Sequence, residues 1–538
     1  MLEFNKVSIT LKKDDRPIIK DFTFTLQPKE KIAIIGEEGN GKSTLLKLVT
    51  DKNAVMEYAT VTGQVNTHNL HVGYLEQSLQ DNWKESTVMD YFLKDSPEED
   101  INFDNYNYLT DIYSLFAKFG LDDKMLEDDR PIKTLSGGEK VKIQIIKILC
   151  KKPDILLLDE PTNDIDIETL EWLENFINST DAPILYVSHD ETLLENTATG
   201  IIHLESIKKK TDCRYTISYE GYKDYIESRS RALSHQEMIA RKEQSDYNKQ
   251  MAGFREVYQK VEYQQRTITR SDPHGAALLK KKMKSLKSQE KRYEREKENF
   301  TEIPDVEEAI TIKNAVTKEI PSGKMVLDIS LPTLTQGDKE LSRNINLSIF
   351  GSKHVVIIGH NGVGKTTFLK KVYEELKTRE DLQIGYMPQN YDELLDLDKT
   401  PLELLTENDH SKDFQTQVRT YLGSLKFTKE EVLGKIANLS GGQKAKLLLI
   451  KLILEKSNVL ILDEPTRNLS PLSNPVIRKL LKEFKGAIIS VSHDRKFIDE
   501  VCDEIYELTP EGLKFRNDYK PKSQIKGCLL YTSPSPRD

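Results

Sequence analysis

Two stretches of this 538-residue chain place glycines, a lysine and hydroxyl side chains at the spacing that phosphate chemistry needs. The first is Gly36-Glu-Glu-Gly39-Asn40-Gly41-Lys42-Ser43-Thr44; the second is Gly359-His-Asn-Gly362-Val-Gly364-Lys365-Thr366-Thr367. Glycines let successive backbone amides turn inward around an anion, and a helix N-terminus just beyond them favours negative charge. Lys42 and Lys365 are expected to reach the β- and γ-phosphates of ATP, and Ser43 and Thr366 to hold Mg²⁺. Asp159 and Asp463 each end an apolar run and suit the same metal. Glu160 and Glu464 follow them directly and can polarise an attacking water. Gln77, in Gly-Tyr-Leu-Glu-Gln, and Gln389, in Gly-Tyr-Met-Pro-Gln, are expected to sense the Mg²⁺ and the water. His189 and His493, both in Val-Ser-His-Asp, can contact the γ-phosphate.

A lone His or Gln would pass for ordinary surface or core. Here the whole set occurs twice at matching intervals: 23 residues separate Ser136 from Asp159 and Ser440 from Asp463, and 29 separate Glu160 from His189 and Glu464 from His493. Such a period marks a duplicated domain rather than a solenoid. Short apolar runs, among them 31–35, 155–158, 184–187, 355–358 and 459–462, alternate with helical patterns. That is the mark of a buried, mostly parallel sheet, so the expected fold is α/β, with domains at 1–225 and 305–520. Each phosphate loop follows one of these runs and opens a helical stretch, the context that gives the motif its meaning.

Composition bounds the rest. The net charge is −9, so the surface as a whole is no nucleic-acid magnet. No window approaches the ~18–20 uncharged apolar residues of a membrane span, and the N-terminus does not read as a signal peptide. A cytoplasmic protein is expected. Cys150, Cys213, Cys502 and Cys528 fit no zinc or iron–sulfur spacing.

Residues 226–304 have a different character. Tyr247, Met251, Phe254, Tyr258, Val261, Gln265 and Ile268 recur at alternating intervals of four and three, a coiled-coil seam. A Pro/Gly turn is expected over 269–275, then a second helix with Leu279, Met283, Leu286 and Tyr293 as its stripe. Two antiparallel helices of ~38 residues would make a hairpin about 55 Å long. Between 263 and 292 nine Lys/Arg face two acids, an excess of +7 within an acidic chain. A solvated coiled-coil face would also be charged. The excess at the far end of a rod suits contact with a phosphate backbone, and folded RNA is read largely by shape and backbone. The candidate contacts are Arg266, Arg270, His274, Lys280, Lys281, Lys282 and Lys284.

The turns Ser136-Gly137-Gly138 and Ser440-Gly441-Gly442 resemble the signature of ABC ATPases. The resemblance implies that the signature of one domain covers the ATP held by the other, an intramolecular sandwich that closes on binding and opens after hydrolysis. One site would join Lys42, Ser43, Gln77, Asp159, Glu160 and His189 to Ser440 and Gly442. The other would join Lys365, Thr366, Gln389, Asp463, Glu464 and His493 to Ser136 and Gly138. An adenine-stacking aromatic is not evident; Leu11 and Gln336 fall near its place. The segment after Glu160 reads Asn163-Asp-Ile-Asp166 and its counterpart Arg467-Asn-Leu-Ser470, so unequal hydrolysis rates are expected.

Tandem ABC domains with a basic helical hairpin between them resemble the ABC-F family over residues 1–520. Membership implies a monomeric, ribosome-associated ATPase without an obligate protein partner. It would bind the tRNA exit site of the 70S ribosome, its hairpin pointing at P-site tRNA and 23S rRNA. Glu464–Arg478 resembles the Vga/Lsa/Sal-type antibiotic-resistance members, which protect ribosomes from lincosamides, pleuromutilins and group A streptogramins. Two alternatives stay open: a housekeeping ABC-F translation factor, and the tandem ATPase subunit of a membrane transporter. Residues 521–538 are set aside as a tail, the last part of which reads as non-native.

Overall fold

The computed structural model describes residues 1–207, 211–267, 273–298, 300–301 and 319–516. The first half contributes β1 (Leu2–Leu11), β2 (Pro17–Leu26), β3 (Lys31–Ile35), β4 (Ala59–Asn66), β5 (Val72–Leu75), β6 (Ile155–Asp159), β7 (Ile184–Val187), β8 (Gly200–Ile207) and β9 (Asp212–Ser218). Strands β2-β1-β4 form an antiparallel sheet, and β5-β6-β7-β3-β8-β9 a six-stranded one. The second half contributes β10 (Met325–Gln336), β11 (Lys339–Phe350), β12 (His354–Ile358), β13 (Ile384–Met387), β14 (Val459–Asp463), β15 (Ala487–Val491), β16 (Glu504–Thr509) and β17 (Gly512–Phe515). β10 and β11 pair as a ribbon, and β13-β14-β15-β12-β16-β17 repeats the strand order of the first large sheet. The duplication read in the sequence is therefore a duplication of topology.

Each large sheet is parallel except for its last strand, β9 or β17, which runs antiparallel. Every residue of β3, β6, β12, β14 and β15 is buried. Helices cover both faces of such a sheet, so these strands read as unbroken apolar runs rather than as alternation. The phosphate loops leave the C-terminal ends of β3 and β12, near the middle of each sheet. Asp159 and Asp463 close β6 and β14, and the histidines follow β7 and β15. The C-terminal edge of a parallel sheet is where such folds gather ligand-binding loops.

Residues up to Tyr222 pack as one compact unit with the described residues from 319 on, and the described residues of Lys223–Val306 form another. In the latter unit, the helix Tyr222–Thr267 has 46 residues and the helix Pro273–Glu298 has 26. The two are antiparallel: the Tyr247 ring lies 5.6 Å from Phe300, and Phe254 lies 6.2 Å from Tyr293. Phe254, Val261 and Leu286 are the buried centre, flanked by Met251, Tyr258, Leu279, Met283 and Tyr293. The expected seam from Met251 to Val261 and the stripe of the second helix thus form the observed core, while Tyr247 packs on Phe300 and Ile268 lies outside the described residues. Two expectations need correction. The arms are unequal rather than ~38 residues each. Pro273, His274 and Gly275 belong to the second helix rather than to a turn, because proline is well suited to the first helical position, where its missing N–H costs nothing. Arg270, with the rest of 268–272, lies outside the described residues, as does the tail after 516. Among the described residues no helix is long and apolar enough to cross a membrane.

Candidate functional site: two phosphate loops facing opposite signature turns

Gly36 and Gly359 begin the two loops at φ 148°, and an added Cβ would sit 2.4 Å from the Leu204 carbonyl oxygen or 2.5 Å from that of Leu508. Only glycine fits there. The helices Lys42–Thr50 and Lys365–Lys377 then start from Gly41 and Gly364, both in the left-handed region. Lys42 is buried and donates to the carbonyls of Gly36 (2.9 Å) and Glu37 (3.2 Å). Lys365 does the same toward Gly359 (2.8 Å) and His360 (3.0 Å). Burial lowers the pKa of both ammonium groups, against the pull of the neighbouring carboxylates. Each lysine therefore closes its own loop and points at the space the loop encloses.

Ser43 Oγ donates to Asp159 Oδ1 at 2.9 Å, and Tyr74 OH approaches Asp159 Oδ2 at 3.4 Å. Burial raises the Asp159 pKa to about 6, with the Ser43 hydrogen bond opposing. In the second half neither buried oxygen of Asp463 meets a donor in hydrogen-bond geometry, although the nearby Thr366 hydroxyl favours the charged form. A desolvated, under-partnered carboxylate beside a hydroxyl fits a hard cation, and Mg²⁺ takes its remaining ligands from water and substrate phosphate.

Glu160 and Glu464 both occupy left-handed backbone, at φ 48° and 51°. For a residue with a side chain that conformation costs roughly 1–3 kcal/mol, and such strain gathers at functional sites. Their surroundings differ. Glu160 accepts from Gln77 Nε2 (3.1 Å) and Asn163 Nδ2 (2.9 Å), and its other oxygen lies 3.1 Å from His189 Nε2. Burial pushes its pKa up, but His189, then Asn163 and the Lys42 charge, outweigh burial and hold it at about 2. Glu464 accepts from the backbone N–H of His493 at 3.2 Å, and Arg467 replaces the helpful asparagine. Burial and the charge of Asp463 raise Glu464 to about 8. His493 is depressed to about 3, by burial first and then by Lys365. Gln389 lines the second cavity, alongside Lys365 and Glu464.

Each signature turn caps a helix. Ser136 Oγ accepts from the Glu139 N–H while the Glu139 carboxylate accepts from the Ser136 N–H, and Ser440 with Gln443 repeats the arrangement. This capping box fixes the turn and leaves each serine hydroxyl hydrogen free to point elsewhere. The halves meet at the second signature turn and at the segments that follow Glu160 and Glu464. Gly442 N–H donates to Glu38 Oε2 at 3.1 Å, and His189 Nδ1 lies 2.9 Å from the Leu469 carbonyl. Asn361 Nδ2 donates to the Asp164 carbonyl at 2.6 Å, and His360 Nδ1 lies 3.2 Å from Asp166 Oδ2. Ser470 instead turns inward to Ser473. Ser136 and Gly137 line a cavity of about 1000 Å³ with Gly362, Gly364, Lys365, Thr366, Thr367, Gln389, Glu464 and His493. Gly39, Gly41, Lys42, Ser43, Thr44, Gln77, Glu160 and His189 line one of about 210 Å³ with Arg467 and Asn468. Asn40 is buried and ties its loop to the Leu204 carbonyl. Neither cavity is lined by Phe, Tyr or Trp; Gln336 and Lys339 border the larger one.

Sequence reasoning overlooked Tyr74, Glu38 and Asn361. Tyr74 was detectable from the repeat, since Tyr386 holds the matching place and its hydroxyl is also buried. Glu38 and Asn361 act across the two halves, and no local pattern marks that.

A family model described as "ABC transporter" matches residues 19–163 and 342–467, half of the chain. ABC transporter F family member 5 of Arabidopsis thaliana is 27% identical over 93% of this chain and 74% of its own. ATP-binding protein Uup of Buchnera aphidicola is 30% identical over 93% and 79%. Ribosome protection protein VmlR of Bacillus subtilis is 29% identical over 93% and 85%. An archaeal ribosome recycling factor, solved in complex with a ribosomal stalk protein, superposes with TM-score 0.58 at 15% identity, covering 95% of this chain and 89% of that one. The doubly wound sheets and paired phosphate loops thus define an ATPase with two ATP-binding domains in tandem. The chain belongs to the ABC-F family.

Proposed function

We propose that this ATPase works on the ribosome: ATP closes the two domains, and the helical hairpin then displaces P-site tRNA and dislodges antibiotics from the peptidyl-transferase centre. The observation that carries the reading is the crossed geometry, in which each phosphate loop contacts the other half beside its signature turn. An ATP held by Lys42 would add the second half's Ser440, Gly441 and Gly442 to its contacts; one held by Lys365 would add Ser136, Gly137 and Gly138. Ser43 with Asp159, and Thr366 with Asp463, would hold Mg²⁺, which supplies charge neutralisation for the phosphates. Glu160 and Glu464 would orient the attacking water, with Gln77, Gln389, His189 and His493 around it.

The name of the Bacillus relative supports a ribosomal target, and so does the basic hairpin. Lys280, Lys281, Lys282 and Lys284 are exposed, as is His274, and Arg266 is exposed beside Glu262. A housekeeping role in translation is the second reading, because identity to Uup is as high as identity to the protection protein.

The Glu160→Gln/Glu464→Gln double variant should stay on ribosomes in ATP during sedimentation; its recovery free of ribosomes would sink the reading. The single variants should differ in residual ATPase, Glu160→Gln losing more. Expression in a drug-sensitive host separates the readings. A raised inhibitory concentration for lincosamides, pleuromutilins or group A streptogramins supports protection, and no change supports the housekeeping role.

A further inference from the structure

We propose that each site grips the purine base of its nucleotide with a cation, Arg16 in the first half and Lys339 in the second, in place of an aromatic ring. This rests on the reading of the two glycine loops as ATP sites. The places expected to carry the ring hold Leu11 and Gln336, and neither cavity is lined by Phe, Tyr or Trp. Both places end the first strand of a hairpin, and the returning strand sets a cation directly opposite. Leu11 N–H donates to the Arg16 carbonyl at 2.9 Å, and Gln336 pairs with Lys339 in the β10–β11 ribbon. The turns between them differ. Residues 12–15 make the first, with Asp15 at φ 50°; Gly337 and Asp338 make the second. Two unlike turns thus deliver a positive charge to one position.

Each hairpin is seated on its phosphate loop in the same way. The ladder skips Ile18 and Leu341, two residues past the cations: Ile9 pairs with Ile19 and Thr10 with Pro17, as Leu334 pairs with Ser342 and Thr335 with Glu340. A bulge of this kind re-aims a side chain. The skipped residue rests on the last glycine of the loop, where an added Cβ at Gly41 would meet Ile18 Cδ1 at 3.0 Å, and one at Gly364 would meet Leu341 Cδ1 at 2.9 Å. Arg16 reaches forward, its Nη2 4.0 Å from the Cβ position of Gly39. Its Nε is buried and meets no acceptor in hydrogen-bond geometry; the Asp14 carboxylate lies 3.5 Å away. That carboxylate is half exposed, and an ion pair so placed contributes little. Lys339 lines the same cavity as Gly362, Gly364 and Lys365. With the phosphates over the loop, the nucleoside leaves along this rim. A guanidinium plane stacks on the face of a purine, and an ammonium is drawn to the same π-cloud.

The test titrates the full chain by calorimetry with Mg²⁺ and either a non-hydrolysable ATP analogue or tripolyphosphate, which has the phosphates and no base. Arg16→Ala/Lys339→Ala should weaken binding of the analogue about tenfold and leave tripolyphosphate unchanged. Arg16→Tyr/Lys339→Tyr should restore the analogue, because a ring supplies a stacking surface without the charge. Lys339 is exposed, so Lys339→Ala alone disturbs no packing and reports on the second site if changes at Arg16 impair folding. An unchanged affinity for the analogue, or no recovery in Arg16→Tyr/Lys339→Tyr, overturns the proposal. So does an equal loss for both ligands, which would assign the cations to the phosphates. Failure of the parent to bind either ligand overturns the ATP reading beneath it, and the tripolyphosphate titration separates the two failures.

Discussion

A single carboxyl separates the chemistry of the two halves. Glu160 and Glu464 share a sequence context, a strained backbone and burial, yet one is held at about 2 and the other at about 8. Partners decide it: His189 and Asn163 stabilise the charge on Glu160, whereas burial and the Asp463 charge raise Glu464 against a weaker pull from Lys365 and Arg467, whose guanidinium pairs with Asp164 at 2.7 Å. A consequence follows for the nucleotide-free chain. The Glu464 pKa is raised from 4.5 to about 8, so the folded state holds a proton that the unfolded chain has released. Stability from this group is complete below pH 4.5 and is lost as pH rises toward 8. Glu464→Gln mimics the protonated form, so it should be the more stable protein at pH 8, with the difference shrinking toward pH 5. Denaturant midpoints at the two pH values measure this, and a difference that grows toward pH 5 would contradict it.

At the scale of elements, the hairpin separates packing from recognition by helical phase. Leu279, Met283 and Leu286 face the partner helix, while Lys280, Lys281, Lys282 and Lys284 stay exposed. Changing those four lysines to glutamine should therefore leave helicity and basal ATPase intact and weaken ribosome binding, most strongly at low salt, with the difference shrinking at high salt, where phosphate contacts fade. Unchanged co-sedimentation would remove the hairpin from RNA contact. Both stripes were legible in the sequence because a helix maps intervals of three and four onto one face. The unequal arm lengths were not, since a period of three and four marks a helix's face and leaves its first residue unset.

Across the whole ATPase unit, the helices behind the two histidines are joined by charge. Glu191–Thr197 opens on Glu191 where Arg495–Val501 opens on Arg495 and Lys496. Arg478 bridges Glu191 and Glu500, the latter at 3.0 Å, with Arg478 and Glu191 only 3% and 5% exposed. Arg495 meets Asp190 at 3.0 Å, and Lys496 meets Glu191 at 3.3 Å. Removing one partner strands a buried charge. Arg478→Ala should destabilise the protein by about 3 kcal/mol, seen as an earlier unfolding transition. Arg478→Met with Glu191→Leu should recover much of that loss; a double variant no better than the single would argue against a buried pair.

The sequence by itself determined the duplication, the parallel sheets, the residues of both phosphate loops and the hairpin seam. Each of these is written in short-range spacing: a turn that needs glycine, a strand buried on both faces, a helix with one apolar stripe. Tertiary structure alone decided which half faces which. It brought Glu38 to Gly442, Asn361 to Asp164 and Arg478 to Glu191, pairs that lie roughly 200 to 400 residues apart. It also set the unequal protonation of Glu160 and Glu464, because burial and hydrogen-bond partners are properties of assembled surfaces, which no local pattern encodes.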